Sequence, residues 1–170
     1  MCIRDRYYCV QTDLAPLDCD AYRPFCVGNF MYISIRQAHC HIKYHYCTTF
    51  NTPPMIGSVQ SQASILTERE GKELARMSKD MGESMKFLAE EFSVLQFITE
   101  AYLDTYPQHR QILISIASQY IANCTSFDNR LGTGVGPRLA RWDKGAYLRG
   151  HNLYGKVLMT IASKLKKPIR

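Results

Sequence analysis

Apolar side chains recur at spacings of three, four and seven between residues 74 and 102: Leu74, Met81, Met85, Leu88, Phe92, Leu95, Thr99 and Tyr102. That periodicity places them on one face of an α-helix that packs on a second element. The opposite face carries Glu73, Lys79, Asp80, Glu83, Lys86, Glu90, Glu91 and Glu100. Thr67-Glu68-Arg69-Glu70 reads as a capping box, with the Thr hydroxyl on the third helical amide and Glu70 reaching back to the cap. Gly71 and Gly82 weaken the first half by about 1 kcal/mol each relative to Ala. The helix is predicted over 67–104 and is the longest element. Its stripe, nearly four heptads long, is compatible with coiled-coil self-association.

Pro107 suits a first turn and not a helix interior, so a second helix is expected over 107–124 with Ile112, Leu113, Ile116, Ala117, Tyr120, Ile121 and Cys124 inward. So short a connection predicts that the two helices are antiparallel neighbours. Thr125 to Gly136 reads as a loop. A third helix is expected over 137–149, burying Leu139, Trp142 and Ala146. Asn152 is expected to cap a fourth over 152–167, with Leu153, Val157, Ile161 and Leu165 repeating every four residues. Burying four such stripes predicts an all-α fold, a small bundle of about four helices with one long N-terminal helix.

Composition changes sharply at Pro53-Pro54. Residues 1–54 hold six of the seven cysteines, three of the five histidines and six of the eleven tyrosines, but no glutamate and only two leucines. Residues 55–170 hold twelve leucines and seven glutamates. Met1-Cys2-Ile3-Arg4-Asp5-Arg6 matches the translated end of a transposase sequencing adapter. Together these features predict that 1–54 is adapter-derived or non-coding translation with little structure, that Met55 is the native start, and that 55–170 forms a single helical domain.

Charge is equally uneven. Residues 1–54 carry 5 basic and 4 acidic side chains, 55–125 carry 6 and 9, and 126–170 carry 10 and 2. The overall +6 is therefore a property of the C-terminal block, which suits a phosphate backbone, an anionic lipid or an acidic protein face. No apolar run approaches the roughly 20 residues of a membrane span. A lone thiol in 55–170 argues against a disulfide framework there and predicts a cytoplasmic location.

Three constellations suggest chemistry. His39-Cys40-His41, His45 and Cys47, with Cys9, Cys19 and Cys26, offer soft ligands, but no Cys-x-x-Cys occurs and no metal site or cofactor is expected. Gly132-Thr133-Gly134-Val135-Gly136 leads toward a helix N-terminus and is a candidate anion loop through Gly132, Gly134 and Gly136. It lacks the Lys-Ser/Thr ending of a P-loop, and a turn between helices is the simpler reading. Cys124 with His109 or His151 has the ingredients of a nucleophile and base, yet Cys124 falls on the apolar stripe, where a buried inert thiol is expected.

The third and fourth helices interleave cations with aromatics. Arg138, Arg141, Arg149 and Lys156, with Tyr147 and Tyr154, are the candidate nucleic-acid or anion-binding residues, mixing phosphate contacts with base stacking. No catalytic cluster emerges. The leading expectation is a non-enzymatic interaction module that associates with itself or with a helical protein partner. A nucleic-acid-binding bundle comes second, and an enzyme or anion binder at 132–136 third.

Overall fold

The structure is a computed structural model, and it describes residues 7–47, 64–65, 85–138 and 150–166. In chain order its elements are β1 (Tyr7–Cys9), α1 (Val10–Asp13), a 3-10 turn (Ala15–Leu17), β2 (Phe25–Val27), β3 (Phe30–Tyr32), α2 (Ile35–Cys47), β4 (Ser64–Ile65), α3 (Met85–Thr105), α4 (Gln108–Ser115), β5 (Tyr120–Ala122) and α5 (Leu153–Lys166). The fold is mixed α/β, which corrects the all-α bundle expected from the helical stripes. The chain divides into two compact units, one made of Met1–Asp18 and Tyr106–Arg170 and the other of Cys19–Thr105.

In the unit Cys19–Thr105, β2 and β3 form an antiparallel hairpin whose turn holds Gly28 at φ +60. That left-handed conformation costs glycine nothing sterically. β4 adds to β3 in parallel, pairing Phe30 with Ser64 and Met31 with Ile65. Along β2, Phe25 and Val27 point inward and Cys26 outward, the two-residue alternation of a half-buried strand. Ser34 starts α2: its Oγ accepts from the Gln37 N–H at 3.1 Å, while Gln37 Oε1 accepts from the Ile33 N–H at 2.8 Å. Two of the orphan amides at the helix entry are satisfied in this way.

α3 packs against α2 and β2. Leu95, Ile98, Thr99, Tyr102 and Leu103 are buried, and the Phe25 ring meets Tyr102 edge-on at 5.4 Å. The stripe predicted through Leu95, Thr99 and Tyr102 is thus the packed face. Glu91, expected on the polar side, is buried instead, because His39 of α2 stands 3.0 Å from its carboxylate. Thr67, Leu74 and Met81 lie outside the described residues, as do the side chains of Met85 and Leu88.

The other unit is built on β1 and β5, which pair in parallel with Tyr7 opposite Tyr120 and Cys9 opposite Ala122. α5 packs against α4 and β5 and buries Tyr154, Gly155, Val157, Leu158, Ile161 and Ala162. The helix expected over 107–124 ends at Ser115, and Tyr120–Ala122 is a strand. Ser118 at φ +87 breaks the helical path. Beyond it the backbone finds its partners on β1, so a pairing distant in sequence overrides the local helical spacing. As a result Tyr120, expected inward, is 44% exposed.

The expectation of little structure in 1–54 is corrected for residues 7–47. They supply three strands, α2 and a buried set that includes Cys9, Val10, Leu14, Leu17, Phe25, Tyr32, Ile35 and Ala38. Among the described residues, no helix is long and apolar enough to cross a membrane.

Candidate functional site

Asn123 leaves β5 fully buried, so each of its polar groups needs a partner. Its N–H donates to Asn152 Oδ1 at 2.9 Å and its Nδ2 to the Leu131 carbonyl at 3.1 Å. Its Oδ1 accepts from Gln11 Nε2, and its backbone carbonyl accepts from the Thr125 and Thr133 N–H groups at 3.0 and 2.9 Å. Gln11 Oε1 in turn accepts from the Cys124 N–H at 2.7 Å. Asn152 completes the knot by donating from Nδ2 to the Ile121 carbonyl at 2.8 Å and to the Tyr120 hydroxyl at 3.2 Å. Its backbone sits at φ +51, which Asn tolerates better than most residues. The expected role of Asn152 as a side-chain cap is therefore corrected, because its Oδ1 serves β5 rather than a helix amide.

A loop grows from this knot. Asp128 Oδ1 accepts from the Arg130 and Leu131 N–H groups, both at 2.8 Å, and Thr125 Oγ1 donates to the Asp128 carbonyl at 3.3 Å. The Asx turn closes the loop on itself. Phe127 stands between these two anchors with 76% of its surface exposed. The hydrogen-bonded frame around it fixes where this exposed ring stands.

The glycine run serves packing. A Cβ on Gly132 would collide with Thr125 Oγ1 and stand 2.8 Å from the Asn123 and Asp128 carbonyls, and one on Gly134 would collide with Asn129 Oδ1. Gly136 has more room, with Ser126 at 3.9 Å. The carbonyls of Asn129, Arg130, Leu131, Gly132 and Thr133 accept from the His151, Leu153, Tyr154, Asn152 and Gly150 N–H groups, respectively. The loop thus caps the start of α5 with carbonyls, the opposite polarity to an anion cradle.

The predicted basic surface is reached in part. Arg138 and Lys156 are exposed, whereas Arg141, Tyr147 and Arg149 lie outside the described residues. Lys156, Ser163 and Lys164 share the exposed side of α5, and Lys166 donates to Ser118 Oγ at 3.3 Å. Tyr154 does not take the stacking role expected of it: it is 0% exposed, and its hydroxyl donates to the Leu17 carbonyl at 2.6 Å. Tyr22, Phe97, Tyr120 and Phe127 are exposed aromatics that sequence reasoning missed. Tyr120 was hidden by a helical reading of a strand. Phe127, an aromatic in a polar loop, was a signal available in the sequence.

The remaining candidates are engaged elsewhere. His39 and His41, two apart on α2, diverge to Glu91 and to the Tyr32 hydroxyl, which lies 2.7 Å from His41 Nδ1. Burial pushes the Tyr32 phenol well above its usual range. His109 stacks on Tyr106 at 5.5 Å, and His151 is exposed. Cys124 Sγ donates to the Ala122 carbonyl at 3.6 Å, and the neighbouring Cys9 thiol, with burial, pushes the Cys124 thiol well above its usual range.

No protein-family model and no curated protein matches the chain. Among solved structures, it is similar to the E. coli protein YbiA determined by NMR, at 17% sequence identity and a TM-score of 0.63, over 94% of this chain and 82% of that one. At that identity the likeness concerns the fold, and it agrees with the α/β architecture.

Proposed function

We propose that the unit Met1–Asp18 with Tyr106–Arg170 binds single-stranded nucleic acid. The observation that carries this reading is a coincidence of charge and exposed aromatic surface. This unit has 13 basic and 5 acidic side chains, net +8, while Cys19–Thr105 has 8 and 10, net −2. Phe127 and Tyr120 expose their rings in this basic unit, whereas Tyr22 and Phe97, also exposed, belong to the unit of net negative charge. Cations such as Arg138, Lys156 and Lys164 suit phosphates, and exposed rings suit unstacked bases. Arg141 and Arg149 add charge in the same stretch of sequence. A cytoplasmic setting belongs to this proposal, since that is where such a ligand is met.

The reading as a helical interaction module has less support. Its motivating stripe on α3 already packs on α2 and β2 of the same unit. Phe97, 60% exposed on α3, remains a contact point for self-association or for a partner helix. Cross-linking of the full chain to a photoreactive oligonucleotide, followed by peptide mapping, tests the proposal. Adducts at Phe127 or Tyr120 are expected. Adducts confined to Cys19–Thr105 would contradict it.

A further inference from the structure

Cys9 closes β1, and Cys124 follows the last residue of β5 by two positions. The parallel register sets Cys9 opposite Ala122, which brings both cysteines to one end of the two-stranded ladder. Each is 1% exposed, and they share one buried cluster with Ala122 and Val135. A single acceptor holds them together: Gln11 Oε1 takes the Cys124 N–H at 2.7 Å and the Cys9 thiol at 3.8 Å. Cys124 Sγ donates to the carbonyl of Ala122, the residue that faces Cys9 across the ladder, at 3.6 Å. Two buried thiols from positions far apart in sequence thus share one cluster.

We propose that Cys9 and Cys124 form a reversible disulfide, closed by exchange with a small-molecule disulfide of the glutathione class and opened by a dithiol reductant. One protein thiol loses its proton and attacks the small disulfide. The small S–S bond breaks, a mixed disulfide forms, and the first small thiolate leaves and takes up a proton. The second protein thiol, deprotonated in turn, attacks the protein sulfur of the mixed disulfide and expels the second small thiolate. The two protein thiols are thereby oxidised by two electrons, and one small disulfide is reduced to two thiols.

Burial sets the rate. Reagent reaches the pair when β1 opens locally, and β1 is a three-residue strand whose ladder partner is β5. Closure ties residue 9 to residue 124 across a long stretch of chain, which restricts the unfolded ensemble. It also fastens Gln11 to the root of the loop that carries Phe127.

The test equilibrates the native full chain in glutathione buffers of graded redox poise, quenches with acid, alkylates and maps the peptides. A linked peptide pair containing Cys9 and Cys124, lighter by two hydrogens and restored by dithiothreitol, is expected, together with a thermal midpoint several degrees higher in the oxidised form. Cys26→Ala should leave the link intact, whereas Cys9→Ala and Cys124→Ala should abolish it. Separate alkylation of Cys9 and Cys124 in buffers that already modify the exposed Cys26 would overturn the proposal, as would indiscriminate pairing among the cysteines. The wild-type map decides the matter even where an alanine variant fails to fold.

Discussion

Gln11 and Asn123 join side chain to side chain, Nε2 donating to Oδ1, although 112 residues separate them in the chain. Through the same amide Gln11 also satisfies the buried Cys124 N–H. One side chain thus ties the first helical turn to the root of the Phe127 loop, and its loss leaves two buried polar groups without that partner.

Gln11→Ala is therefore expected to destabilise the protein by about 1–3 kcal/mol, the cost of unsatisfied buried groups. Gln108→Ala, at an exposed position, should stay within about 0.5 kcal/mol of the parent. Urea unfolding of the two variants measures the contrast. Equal effects would mean that the knot contributes nothing.

Gly155 provides a test of sign. In an ordinary helix Gly→Ala stabilises by about 1 kcal/mol. Here the added Cβ would collide with the Ile121 carbonyl and the Asn152 side chain. Gly155→Ala should instead destabilise by about 1–3 kcal/mol, because the backbone must shift away from β5. A rise in thermal midpoint would show that α5 does not approach β5 so closely.

Glu91 and His39 form a buried pair at 3.0 Å. Glu91→Ala removes this partner of the buried imidazole and is expected to cost about 1–3 kcal/mol, whereas Glu91→Gln, which keeps an acceptor, should cost less. A double-mutant cycle with His39→Ala isolates the coupling. Strict additivity would remove the pair from the account.

Alkaline stability follows from Cys124. The neighbouring Cys9 thiol and burial favour the protonated form of Cys124 in the folded chain, so above the ordinary thiol pKa, about 8.5, the unfolded chain has lost a proton that the folded chain retains. Stability is then fully present below that pH and declines as pH rises through it. Cys124→Ala should flatten the decline in a urea series between neutral pH and mild alkali.

Much of the helical content was readable from local pattern. Leu153, Val157, Ile161 and Leu165 placed α5 to within a residue or two, and Leu95, Thr99 and Tyr102 correctly located the packed face of α3. Ser34-Ile35-Arg36-Gln37, with Ser at the cap and Gln three residues on, is an equally local signal for the start of α2. The strands were not readable in the same way. Tyr7–Cys9 and Tyr120–Ala122 are three residues each, too short to show a period, and they are stable only because they find each other. Tyr120 and Tyr154 exchanged roles for the same reason, since exposure depends on which element covers a ring. Gly132, Gly134 and Gly150 resemble loop glycines in sequence, and only their neighbours reveal packing.

Phe127 offers a separation of binding from folding. Phe127→Ala should weaken single-stranded binding by about 1–3 kcal/mol, the scale of one lost base stack. Its unfolding midpoint should match that of the parent, since the ring is exposed. A change in stability without a change in affinity would reassign the ring to the fold.

Fluorescence anisotropy of the full chain with single-stranded and duplex oligonucleotides across a salt series decides whether this protein binds single strands. Single strands should bind more tightly than duplex, and the log of the binding constant should fall linearly with log salt, by about 0.7 per phosphate contacted. Arg138→Gln, Lys156→Gln and Lys164→Gln should each reduce that slope. Absence of binding at low salt, or affinity indifferent to strandedness and to Phe127, would show that the protein does not bind single strands through this surface.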